Sequence, residues 1–284
     1  MDMLYTQRNS KKRFVHTIVI IFIIIIILSV QFYTDIYYLL AKNGCKDAGL
    51  CLFYNSLNPN INFEIPIIIL SIPSAFLLEQ YHINHFNKFD YYIKERIGFK
   101  KYIYQSYVRN FINSFLLILS IYISMIFVIH FFLTPIFFSY HDAIKFKNYT
   151  IDIYNENIYI NMLIYLILSG LGFALFSTLI LSLKNMLKQK YLFKISSIVI
   201  GVILAVLPVI VGDRLFVVSE NYNILILFSA MSLLNLIFPG VSGFGKYGYV
   251  FSPILVYLIS FIIYSLITIF TLKIEMRREY NNEE

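Results

Sequence analysis

The stretch from Lys11 to Tyr33, KKRFVHTIVIIFIIIIILSVQFY, decides the fold class. Three cations precede a run from Phe14 to Tyr33 that holds no Asp, Glu, Lys or Arg. As a helix, about 20 such residues cross roughly 30 Å of hydrocarbon. A cleavable secretory leader would have an apolar region of about 7 to 15 residues and then a small-x-small site. This run is longer and leads into Val30-Gln31-Phe32-Tyr33, so it reads as a retained first span. The whole chain agrees. Of 284 residues 59% are hydrophobic and only 14% charged, with a mean hydropathy of +0.72, which predicts an all-α integral membrane protein.

Outward from this span, residues 34–62 turn polar, with breakers at Asn43-Gly44 and Asn58-Pro59-Asn60. Further apolar runs cover about 63–82, 111–138, 160–183, 195–211 and 251–272, giving six expected spans within a single membrane domain of residues 1–284. One apolar stretch, 223–238, is short for a crossing, carries Ser229, Ser232 and Asn235, and stops at Pro239-Gly240. Charge parity decides against a seventh span, because that crossing would put Lys273, Arg277 and Arg278 outside. With six spans and both termini cytoplasmic, only Lys42, Lys46, Lys145, Lys147, Arg214 and Lys246 of the 23 basic residues lie outside. Segment 223–238 is then expected to form one or two short re-entrant helices. Their polar atoms must be shielded by protein, because lipid cannot satisfy them.

The net charge of +7 resembles a nucleic-acid signal, but the cations sit in short segments beside apolar runs, where they set orientation; no nucleic-acid partner is expected. Twenty-seven Phe and 24 Tyr without Trp, in a chain thick with Ile, Asn and Lys, suggest AT-rich coding in a low-GC bacterium. The expected home is its cytoplasmic membrane, as a multi-pass protein in contact with lipid. Cys45 and Cys51 are too few for a disulfide scaffold or a four-ligand zinc site. Both lie in the expected external loop, where a disulfide between them and two free thiols are equally open readings.

The chain has no G-x-x-x-x-G-K-[ST] loop, no H-E-x-x-H and no G-x-S-x-G, and Glu64 and Glu79 fall near opposite ends of the second span. No enzyme is expected. Glu79, His82 and His85 share an i, i+3, i+6 spacing that suits either three metal ligands or an interfacial polar face, and the second is favoured. His130, alone within the third span, reads as a hydrogen-bonded structural histidine before a functional one.

The most informative cytoplasmic segment runs from His82 to Asn110, HINHFNKFDYYIKERIGFKKYIYQSYVRN. Phe86, Phe89, Ile93 and Ile97 recur at spacings of 3, 4 and 4, with charged residues around them: an amphipathic stripe for a membrane surface or a partner's groove. Its end, Arg96-Ile97-Gly98-Phe99-Lys100-Lys101-Tyr102, resembles the R-x-G-x-K-x-[YW] stretch common in type 2 ABC exporter permeases. The order of elements over nearly the whole chain is similar to that family too. The resemblance implies a transmembrane subunit paired with a second six-span permease, the same chain or a paralogue, and with two cytoplasmic ABC ATPase subunits. ATP and Mg would bind those partners, and this chain would hold no cofactor. Segment 83–100 would be the coupling helix, engaging through Phe89, Ile93, Arg96, Ile97, Gly98 and Lys100, with residues 4–13 packed beside it.

No E-A-A-x3-G importer loop is found, which favours export. A path rich in Tyr and Phe with few charges suits amphipathic cargo, and short permeases of this kind resemble exporters of antimicrobial or toxin peptides. Lipid, wall-polymer and drug export are the alternatives. From another class, a non-transporting sensor or scaffold whose basic loop binds anionic lipid is the competing expectation, and a metal-dependent enzyme at Glu79, His82 and His85 a third. Ser229, Asn235, Pro239 and Gly240 are expected at an outer gate or, the slightly favoured reading, in a fixed outer cap.

Overall fold

The computed structural model describes residues 2–36, 49–58, 62–78, 96, 98–136, 154–155, 157–183, 189–219, 221–240 and 253–281. Among them the chain is helical and holds no strand. In chain order the helices are α1 (Asp2–Gln31), α2 (Gly49–Leu57), α3 (Glu64–Ile72), α4 (Phe99–Val128), α5 (Ile158–Ser182), α6 (Lys190–Ser219), α7 (Tyr222–Ala230), α8 (Leu233–Ile237) and α9 (Pro253–Asn281). Five stretches are long and apolar enough to cross a membrane: Val15–Thr34, Lys100–Leu133, Tyr159–Ser182, Tyr191–Val218 and Ile254–Ile274. The expected span 63–82 contains a shorter apolar helix, Glu64–Ala75, and its last residues lie outside the described ones.

The helices outrun the apolar stretches that predict them. α6 was expected to cross at 195–211, yet it continues through Asp213 and Arg214 to Ser219. Hydropathy measures the slab a helix crosses, whereas its ends are set by caps and breakers. The caps are short polar side chains: Asn62 Oδ1 accepts the Glu64 N–H at 3.1 Å before α3, and Asn157 Oδ1 accepts those of Tyr159 and Ile160 at 3.0 and 3.3 Å at the start of α5. Three helices end in a wider turn, α1 continuing as Phe32–Ile36. Leu78 N–H donates to Pro73 O at 2.9 Å and Thr134 N–H to Ile129 O at 2.8 Å, both five residues back, so α3 continues as Pro73–Leu77 and α4 as Ile129–Leu133.

The chain forms two compact units. In the first, from residues 1–69 and 120–161, the described side chains of α1 bury the stripe Ile20, Ile24 and Leu28 and leave apolar side chains exposed elsewhere. That pattern suits a helix with one protein neighbour and lipid around the rest. α2 packs on the Ile129–Leu133 turn. Phe53 meets Tyr122 edge to face, with ring centres 6.2 Å apart. The Tyr54 hydroxyl accepts the Asn161 amide N–H at 3.3 Å, and Asn161 Oδ1 accepts the Tyr154 backbone N–H at 2.7 Å.

The second unit, from residues 70–119 and 162–284, is built on α5, whose residues 172–182 are all buried. Small residues let backbones approach closely here. Leu70 packs at Gly201, where an added Cβ would stand 3.0 Å from its Cδ2. A few residues away the Ser74 hydroxyl donates to Lys194 O at 2.7 Å and shares a 2.5 Å hydrogen bond with Ser197. Asn110 and Ser114 of α4 both donate to the buried Ser177 hydroxyl of α5, at 3.2 and 2.9 Å.

Candidate functional site: the broken helix pair and the basic loop

Segment 223–238 folds as two short helices, α7 and α8, with a break at Met231-Ser232. Asn221 Oδ1 caps α7 by accepting the Asn223 N–H at 3.0 Å. Ser232 leaves the helical region, with φ −69° and ψ 132°, and its hydroxyl accepts the Leu234 N–H at 3.3 Å as the cap of α8. The same hydroxyl donates to Ala205 O at 2.8 Å, three residues before Pro208 inside α6. Proline removes an N–H from α6, and Ser232 supplies a donor beside that gap.

A break inside an apolar stretch strands carbonyls that lipid cannot satisfy. Here other helices supply the donors. Ser260 of α9 donates to Ala230 O, and Tyr264, one turn further along α9, donates to Met231 O at 2.9 Å. At the far end of α8, Ser169 of α5 donates to Ile237 O at 2.5 Å. One turn below Ser169, Gly172 lets the α8 backbone come in directly, since a Cβ there would overlap the Leu236 carbonyl. α7 and α8 are thereby docked against α5, α6 and α9 through backbone atoms, with α8 wholly buried.

Of the residues expected here, Asn235 is buried and its N–H donates to Ser232 O at 3.2 Å. Pro239 is buried, and Gly240, at φ 77°, turns the chain after α8. Ser229 lies in α7, and its side chain is outside the described residues. Ser169, Gly172, Ser260 and Tyr264 were not foreseen. Their signal is faint: Ser169-x2-Gly172 and Ser260-x3-Tyr264 each put polar or small residues one turn apart on one helix face.

In the basic loop, Phe89, Ile93 and Ile97 lie outside the described residues, while Arg96 and Lys100 are exposed. Gly98 has φ 84°, which a side chain would strain, and its carbonyl accepts the Tyr102 N–H at 3.0 Å. The glycine of the R-x-G-x-K stretch is therefore the turn that starts α4. Upstream, α1 runs unbroken from Asp2 through residues 4–13, whose side chains are not described.

Cys45 lies outside the described residues, and Cys51 is placed in α2 without its side chain. Glu79, His82 and His85 also lie outside them; among the described residues no three His, Cys, Asp or Glu side chains gather. His130 is half-buried, with Nδ1 accepting the Ile136 N–H at 3.0 Å, the structural role expected of it. Comparison of the chain with protein-family models, with characterised proteins and with solved structures finds no match.

Proposed function

We propose that the chain is the membrane-spanning permease subunit of an ATP-driven ABC exporter, working in a bacterial cytoplasmic membrane on amphipathic peptides. The observation that carries this reading is the junction at Gly98. A basic, aromatic loop with an apolar stripe ends in R-x-G-x-K, and from that glycine α4 runs unbroken for 30 residues. A helix this long is stiff, so a push on segment 83–100 would travel along it into the membrane. The two short helices before the last long one support the same reading. In it, the chain crosses six times with both ends inside, the second span, 63–82, joining the five long helices. Two copies of a cytoplasmic ATPase bind and hydrolyse ATP with Mg, and a second six-span permease completes the path.

Copurification tests this without knowing the cargo. The full chain, expressed with its genomic neighbours, should carry along a phosphate-loop ATPase. Ile93→Asp with Ile97→Asp should lose most of that ATPase while inserting normally, because each charge forfeits burial worth about 1.5–3 kcal/mol. An ATPase retained in full by the double variant, or absent from the wild type, overturns the proposal.

A further inference from the structure

The first turns of α4 present two parallel rows to the outside, each with one residue per i+4 step. One row is Lys101, Gln105, Arg109 and Asn113; the other is Tyr104, Val108, Ile112 and Leu116. All eight are exposed, while Tyr102, Ile103, Ser106, Tyr107, Asn110 and Ser114 face the core and fix the helix's rotation. A polar row beside an apolar row, with no Asp or Glu anywhere in α4, fits neither plain water nor plain hydrocarbon.

Depth assigns its occupant. From Phe99 to Leu133 the helix is about 52 Å long at 1.5 Å per residue, against about 30 Å of hydrocarbon. Its far end exposes Phe131 and Phe132, at 65% and 74%, side chains that belong in hydrocarbon. Twenty residues back, the near boundary falls at about residue 112. Arg109 then stands just outside the hydrocarbon, at phosphate level. Gln105 and Tyr104 lie a turn above it, Lys101 lies two turns above it on the water side, and Ile112 and Leu116 lie among acyl chains. Down the face the cations and the amide of Lys101, Gln105 and Arg109 precede the apolar surface of Ile112 and Leu116, as a charged headgroup precedes the acyl chains in a phospholipid.

We propose that this face binds an anionic phospholipid, its phosphate on the Arg109 guanidinium and an acyl chain along Ile112 and Leu116. Arg109 holds phosphate through paired N–H donors. Lys101 adds attraction for the negatively charged headgroup layer. The site does not depend on the export reading, since it needs neither ATPase nor cargo.

The full chain is reconstituted in mixed phosphatidylcholine and phosphatidylglycerol vesicles, extracted gently, and its retained lipids are weighed by native mass spectrometry. Phosphatidylglycerol should be enriched over phosphatidylcholine. Arg109→Gln and Lys101→Gln should each reduce the enrichment about five-fold, whereas Arg109→Lys should keep most of it and Arg214→Gln, at the far end of α6, all of it. A photo-crosslinker placed at Gln105 in the otherwise unaltered chain should attach to lipid; that arm decides the matter if the charge variants fail to insert. Equal retention of both lipids, enrichment unchanged in Arg109→Gln, or a Gln105 adduct to a second copy or another protein, overturns the proposal.

Discussion

Gly172 shows how much one hydrogen atom can hold in a helix packed backbone to backbone. With a Cβ it would overlap the Leu236 carbonyl, and a carbonyl cannot step aside as a side-chain tip can. Gly172→Ala should cost about 1–3 kcal/mol of stability, read as a lower unfolding temperature in detergent. Gly98→Ala meets no neighbour and is strained only by its φ of 84°. It should cost about 1–2 kcal/mol, through the start of α4. Equal stability of Gly172→Ala and wild type would mean that α8 does not sit on α5. Tyr54 offers a second test, by pH. Burial pushes its phenol above the ordinary value, and the Asn161 hydrogen bond lowers it only in part. With the folded value raised, the protonated phenol's contribution is fully present below about pH 10 and is lost as pH rises through the folded value. Tyr54→Phe should therefore flatten the alkaline loss of thermal stability; superimposable profiles would mean that Tyr54 is not buried. Neither residue stands out in the sequence, since a glycine among apolar residues and one of 24 tyrosines carry no pattern of their own.

At the scale of elements, one or two short helices over 223–238 were legible by length: a mostly apolar stretch of 16 residues ending in Pro-Gly is short for a crossing, and the break at Met231-Ser232 follows from a serine that caps better than it propagates. What was not legible is where the stranded carbonyls find donors, because Ser260, Tyr264 and Ser169 lie far away in sequence and sit in runs that read simply as spans. Hydropathy sums a window and is blind to which face a hydroxyl occupies. These hydroxyls have a measurable consequence. Ser260→Ala with Tyr264→Phe removes the donors to Ala230 O and Met231 O and leaves two buried carbonyls poorer by one partner each. Hydrogen bonds between membrane helices are worth about 0.6 kcal/mol on average and reach about 1.7. The double variant should thus speed amide exchange in residues 231–236 by about eight-fold at the average value for two bonds, and by up to about three-hundred-fold at the upper one, while the middle of α5 stays protected. Unchanged exchange at the break would show that α9 does not hold it, and would favour a segment free to move.

Over the whole molecule, the helical class and five of the six expected spans were readable as helices long and apolar enough to cross, because about 20 apolar residues per span leave little ambiguity. The ends of the helices were not, since α1, α4, α6 and α9 all run on into polar sequence. That overrun ties the crossing count to charge. α9 carries Lys273 at the end of the apolar stretch Ile254–Ile274 and Arg277 beyond it, and Lys100 and Lys101 open the stretch Lys100–Leu133 of α4. If basic ends face the cytoplasm, the chain must cross an even number of times between the N-terminal Lys11-Lys12-Arg13 and the tail. Five long helices give an odd number, so the proposed six-span topology requires the short apolar helix Glu64–Ala75, with its Pro73–Leu77 turn, to be part of a crossing. Single cysteines at Asn9, Lys145, Lys246 and Asn282, in a chain whose Cys45 and Cys51 are changed to serine, read the parity directly in intact cells. A membrane-impermeant thiol reagent should label Lys145→Cys and Lys246→Cys, and reach Asn9→Cys and Asn282→Cys only after permeabilisation. If Asn282→Cys is labelled from outside while Asn9→Cys is not, the crossings are odd in number, residues 64–78 stop short of the far side, and the even-numbered permease topology falls with them.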